Sequence, residues 1–124
     1  MAKHGKSGFS RLVAATRFSA QGLASAWRHE AAFRQELIAT LILAPAAFWV
    51  GETILERLLL IGSCLLVVLT ELLNSAIETT IDRLGDERHE LSGRAKDLGS
   101  AAVFVSLVIV AMVWFTLLWQ RLAT

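Results

Sequence analysis

The chain has 124 residues and a formal net charge of +1, with 55% hydrophobic and 19% charged residues. That length admits one domain, and the apolar excess over the about 45–50% of ordinary soluble domains excludes a well-dissolved globular fold. Lipid is the expected surroundings: residues 1–124 read as a single all-α membrane unit, and no nucleic-acid partner is expected.

Residues 9–27 place Phe9, Leu12, Val13, Thr16, Ala20, Leu23, Ala24 and Trp27 at helical spacing, with Arg11, Arg17 and Gln21 off that stripe. The pattern predicts an amphipathic helix, and its basic character just before an apolar run predicts that it lies on a lipid surface. No apolar h-region follows the first basic residues directly, so a cleaved signal peptide is not expected.

The first span is expected over residues 31–50. Its charge-free stretch from Leu37 to Val50 reaches only about 21 Å, so it must extend back through Arg34, Gln35 and Glu36 into the interfacial layer. Pro45 is expected to kink or loosen it. The second span is expected over 57–82 and is interrupted by Glu71, Asn74 and Glu78; the lone Cys64 inside it reads as a packing residue. A third, over 97–120, has no formal charge from Leu98 to Gln120, with Trp114 and Trp119 as interfacial anchors. Between the last two spans, GDERHELSGRAKD is polar, with Ser92 as the expected helix N-cap.

Basic residues are distributed unevenly. Six (Lys3, Lys6, Arg11, Arg17, Arg28, Arg34) precede the first apolar run and four (Arg83, Arg88, Arg94, Lys96) lie between the second and third, leaving Arg57 and Arg121 for the other side. The positive-inside rule places the N-terminus and the 83–97 loop in the cytoplasm and the C-terminus outside.

The chemistry-bearing residues concentrate on the second span. Glu71 and Glu78 fall within about 20° of one another around a helix and about 10.5 Å apart along it, with Asn74 and Asp82 within about 60° of the same direction. Each ionised carboxylate at the bilayer centre costs about 2.5–3.5 kcal/mol on insertion scales, so a metal or proton-transfer site explains the pair better than helix–helix adhesion. Glu30 starts the first span at about the depth of Glu78. Two carboxylates with phosphate oxygens and water suit magnesium, and a first-turn acid favoured by the helix dipole is the competing account of Glu30. The loop sets Arg88, Arg94 and Lys96 beside Asp86, Glu87, Glu90 and Asp97, a mixture suited to a polyanion or to a solvated turn. Neither a GxxxxGK[ST] phosphate loop nor the protein-kinase motif set is present, and His4, His29 and His89 lack metal-ligand spacing.

Three segments, EAAFRQE (Glu30 to Glu36), ELLNSAIE (Glu71 to Glu78) followed by Asp82 and Arg83, and HELSGRAKDLGSAAV (His89 to Val103), resemble the small prokaryotic diacylglycerol kinases over nearly the whole chain. The resemblance implies a homotrimer in the bacterial inner membrane that uses MgATP to phosphorylate diacylglycerol. It implies Glu71 as general base and Glu30 with Glu78 as holders of Mg2+ and nucleotide. Arg11, Phe18, Glu87, Arg88, His89, Lys96 and Asp97 match nucleotide-contacting positions, Phe18 standing where a tyrosine is familiar. Arg11, Ala32, Phe33, Arg34, Gln35, Glu36, Trp49, Arg57, Glu71 and Ser100 match lipid-site positions, and Asn74 supports Glu71 or the phosphates. Ala14 and Ala20 replace a lysine and a tryptophan of the best-known form.

Two other functions compete. An undecaprenol kinase of the same superfamily would use the same carboxylates, and a small proton-coupled transporter would also place glutamates within the membrane. The transporter fits less well, because the chain has neither a fourth span nor a repeat.

Overall fold

The computed structural model describes residues 7–85 and 89–124. It contains four helices in chain order: α1 (Gly8–His29), α2 (Ala31–Val50), α3 (Ile54–Arg83) and α4 (Glu90–Ala123). The last three are long and apolar enough to cross a membrane. α3 is the central element, packing most extensively on α4 and next on α2.

Local chemistry sets the boundaries. Ser7 caps α1 by accepting from Ser10 N at 3.1 Å. A single extended residue, Glu30, then ends α1 and begins α2, its amide bonding Ala26 O while its side chain makes no capping bond. The elbow is held by Arg34, whose guanidinium donates to Trp27 O at 2.7 Å and satisfies a carbonyl that the end of α1 leaves without a helical partner. α2 continues unbroken through Pro45, although the ring removes the N–H that Leu41 O would otherwise receive.

The opposite end of the bundle is tied by arginines. Arg57 donates to Gly51 O and Phe48 O at 3.0 and 3.2 Å, and Arg121 donates to Trp49 O at 2.9 Å while stacking 4.8 Å from the Trp49 ring centre. Both cations meet the carbonyl end of α2, where the helix dipole favours positive charge. Gly51 is required for that approach, since a Cβ there would sit 2.9 Å from Arg57 Cγ. Thr53 caps α3 through Glu56 N, and Glu56 reaches back to Glu52 N, a variant of the capping box.

Two small clusters form the core. Ala47, Val50, Leu60 and Leu117 join α2, α3 and α4 near the arginine end, and Ala26, Phe33 and Val68 join α1, α2 and α3 nearer Glu30. The outward face of α4 carries exposed Phe104, Val105, Met112, Phe115 and Trp119, a surface suited to hydrocarbon and unsuited to water.

Two expectations are revised. α4 begins at Glu90 and runs on through the apolar stretch expected as the third span. Its N-cap is His89, whose Nδ1 accepts from Leu91 N at 3.0 Å, so Ser92 lies within the helix. Trp114 turns inward, donating from Nε1 to Leu60 O at 3.1 Å, whereas Trp119 stays exposed.

Polar contacts stitch α3 to α4. Thr70 Oγ1 donates to Ser106 Oγ at 2.9 Å, and Ser106, 2% exposed, donates to Val103 O. Ser106→Ala removes one interhelical hydrogen bond and is expected to cost about 0.6 kcal/mol. Ser106→Leu overfills the same seam and is expected to cost about 1–3 kcal/mol. Thermal unfolding in detergent should rank wild type above Ser106→Ala above Ser106→Leu; equal midpoints would show that the seam is not packed as described.

Candidate active site

The site is built at the Glu30 end of α3. Glu71 is 7% exposed, Glu78 lies half-buried two turns further on, and Glu36 and Glu30 stand near enough for their charges to bear on Glu71. Four carboxylates from α2, α3 and the Glu30 elbow therefore share one region. The ion pairs among the described residues are Arg94–Glu90 and Lys96–Asp82, and neither reaches these acids. Their negative charge is uncompensated by any described side chain, so the donor set fits a hard divalent cation with oxygen ligands. No three metal-ligating residues already stand together among the described residues, so such a cation would draw further ligands from phosphate or water.

A cleft of about 900 Å³ opens between α1 and α3, and of these acids Glu30 lines it. Gly22, Leu23 and Ala26 line it from α1, Leu72, Ser75 and Ala76 from α3, and Glu30 stands at its side. The lining is mostly small and apolar, suited to an amphiphile whose polar end meets Glu30. Ser75 is buried and its hydroxyl has no partner among the described residues, whereas the other buried helical hydroxyls, Thr40, Ser63 and Ser106, all bond a carbonyl of the preceding turn.

The other sequence-predicted residues scatter. Lys96 Nζ pairs with Asp82 Oδ1 at 3.2 Å, pinning the start of α4 to the end of α3. His89 caps α4, and Asp97 and Ser100 are exposed on its first turns. Arg11 and Phe18 are exposed on α1, and the Arg17 guanidinium lies 5.6 Å from the Phe18 ring centre. On α2, Ala32 and Gln35 are exposed, Arg34 holds the elbow and Phe33, 1% exposed, belongs to the core. Trp49 and Arg57 are not brought to the acids. They stand in the arginine cluster at the other end, Arg57 about 21 Å from Glu71 along α3. Glu87 and Arg88 lie outside the described residues.

Comparison with known proteins gives the geometry a lineage. The family model for "Prokaryotic diacylglycerol kinase" matches residues 17–118. The chain belongs to the prokaryotic diacylglycerol kinase family. It is 56% identical over 107 residues to the diacylglycerol kinase of Haemophilus influenzae, covering 86% of this chain and 91% of that protein. It is 50% identical over 114 residues to the Escherichia coli K12 diacylglycerol kinase and 48% identical over 114 residues to that of Pseudomonas aeruginosa, covering in each case 92% of this chain and 93% of the relative.

Sequence reasoning placed Asp82 on the acidic face without a partner and gave Ser75 no part in a ligand site. The first needed the antiparallel register of α3 and α4, which brings Lys96 back to Asp82. The second signal is a missing back-bond, visible only in coordinates. Because the Lys96–Asp82 pair is exposed, Asp82→Asn is expected to change stability by less than about 1 kcal/mol. Thermal unfolding at low and high salt should show that small difference shrinking with salt; a loss of several kcal/mol would mean that the pair is part of the core.

Proposed function

We propose that this member of the family transfers the γ-phosphoryl group of ATP to the primary hydroxyl of diacylglycerol, forming phosphatidic acid, at the cytoplasmic surface of the bacterial inner membrane. The observation that carries the reading is the buried Glu71, near other carboxylates and without an ion-pair partner among the described residues, in a chain similar over 86–92% of its length to proteins named diacylglycerol kinase.

In this reading Glu71 accepts the proton of the lipid hydroxyl as its oxygen attacks the γ-phosphorus, and the bond from that phosphorus to the bridging oxygen of ADP breaks in line. Glu30 and Glu78 would hold Mg2+, which would supply neutralisation of phosphate charge. Glu36 adds negative charge near Glu71 and helps draw the cation to the site. Lys96, Asp97, His89 and Arg11 face the nucleotide; Glu87 and Arg88 belong to the same group by position in the sequence. The lipid enters along the α1–α3 cleft, Ala32, Gln35 and Ser100 are exposed to contact it, Phe33 and Arg34 shape the elbow and core beside it, and Trp49 and Arg57 act by holding the far end of the bundle.

Exposed Phe9, Leu12, Val13, Leu23 and Trp27 support a position for α1 on the lipid surface, and the large apolar surface of α4 supports assembly within the membrane as a homotrimer with sites completed between subunits. The basic residues of α1 and of the 83–97 loop support a cytoplasmic location for the site and an external C-terminus.

The test is label transfer from [γ-32P]ATP to a panel of lipid alcohols in detergent micelles. Diacylglycerol should be phosphorylated far faster than undecaprenol, and only with a divalent cation present. A preference for undecaprenol would reassign the substrate, and no transfer to any lipid alcohol would overturn the kinase reading. Glu71→Gln should lower kcat about 100- to 10,000-fold while ATP binding and assembly persist; near-wild-type turnover would remove Glu71 from the role of base.

A further inference from the structure

Glycine is disfavoured inside helices relative to alanine, so a buried helical glycine calls for a reason. At Gly22, Gly62 and Gly93, an added Cβ would meet nothing within 4 Å. Gly99 differs. A Cβ there would overlap Asn74 Oδ1, with Asn74 Cγ at 3.3 Å and Ile77 Cδ1 at 3.5 Å. The space beside the Gly99 α-carbon is thus taken by the carboxamide of a residue on the facing helix.

Asn74 Oδ1 is buried there with no hydrogen-bond donor among the described residues. Its neighbour is the Cα–H of Gly99, at best a weak donor of the kind found where helices pack closely. Leaving a strong acceptor in such a place is unfavourable for stability, and natural structures keep few of them. The other end of the planar carboxamide, Nδ2, is not among the buried unpartnered atoms. Asn74 lies three residues after Glu71 and four before Glu78, on one face of α3.

We infer that Gly99 is a positioning residue for phosphoryl transfer: by seating the Asn74 oxygen against α4, it turns the amide nitrogen toward the Glu71–Glu78 face. There Nδ2 donates to a carboxylate or to a phosphate oxygen. The reverse orientation would present an acceptor to groups that are themselves only acceptors. The close approach of α4 fixes the seat of the carboxamide, and the Gly99 Cα–H on one side with acceptor-only groups on the other fixes which end faces which. This inference rests on the kinase reading given above.

The experiment compares Gly99→Ala, Asn74→Ala, the double variant and Asn74→Asp in label transfer to diacylglycerol, with kcat and KM for both substrates. Gly99→Ala and Asn74→Ala should each lower kcat about 10- to 100-fold, with KM values within about threefold of wild type, as expected for a misplaced group in the reacting complex. In the double variant the new methyl occupies space the carboxamide has left, so kcat should equal that of Asn74→Ala alone. Asn74→Asp keeps the shape and the seat but lacks the donor, and should fall with Asn74→Ala even if Gly99→Ala does not assemble.

Wild-type kcat in Gly99→Ala or Asn74→Asp would overturn the inference, as would a second full loss when Gly99→Ala is added to Asn74→Ala. Inactivity of the unmodified protein toward every lipid alcohol would instead bring down the kinase reading.

Discussion

Burying Glu71 in a helix that must otherwise be apolar enough to cross a bilayer is the constraint on which the other parts of the structure depend. An ionised carboxylate at the centre of a membrane costs about 2.5–3.5 kcal/mol on insertion scales, and no cationic side chain among the described residues offsets it. Such a group is retained at the centre of the bundle only if α3 is held on more than one side. α2 and α4 flank α3, and α1 forms the other wall of the cleft that Glu30 lines. The contacts that align α3 with α4, from Trp114–Leu60 through Thr70–Ser106 and Gly99–Asn74 to Lys96–Asp82, run the length of the pair in antiparallel register.

The two ends of the bundle treat charge in opposite ways. At one end Arg57 and Arg121 are consumed by structure, each bonding the last carbonyls of α2 and stacking on an aromatic ring. At the other end the acids have no such partners among the described residues, and even Glu30, placed where a capping side chain is common, makes no capping bond. Charge satisfied within the fold contributes to stability and register. Unsatisfied charge of one sign, clustered beside a cleft, is available to a ligand of the opposite sign, and a metal–phosphate complex is such a ligand.

Much of this was legible in the sequence because membrane helices announce themselves by apolar length. The first span was expected over residues 31–50 and α2 has those bounds; the second was expected over 57–82 and α3 extends it by three residues at the start and one at the end. The shared face of Glu71, Asn74 and Glu78 followed from helical spacing alone. What stayed hidden depends on contacts between helices. His89 displaced Ser92 as the cap of α4 because an imidazole nitrogen can accept the Leu91 amide as a hydroxyl would. Arg34 closes the α1–α2 elbow, Phe33 packs into the core and Asn74 rests on Gly99 for reasons that no linear pattern encodes. Glu36 was expected as a lipid-site position by resemblance, and only the fold brings its charge near Glu71.

The central claim is that the carboxylates around α3 form a site for a divalent cation carrying phosphate, and binding of Mn2+ in place of Mg2+, read by electron paramagnetic resonance with a non-hydrolysable ATP analogue, tests it most directly. The account predicts one class of protein-bound Mn2+ that requires the nucleotide, with Glu30→Gln and Glu78→Gln each weakening it at least about tenfold. Unchanged Mn2+ affinity in both variants would contradict it.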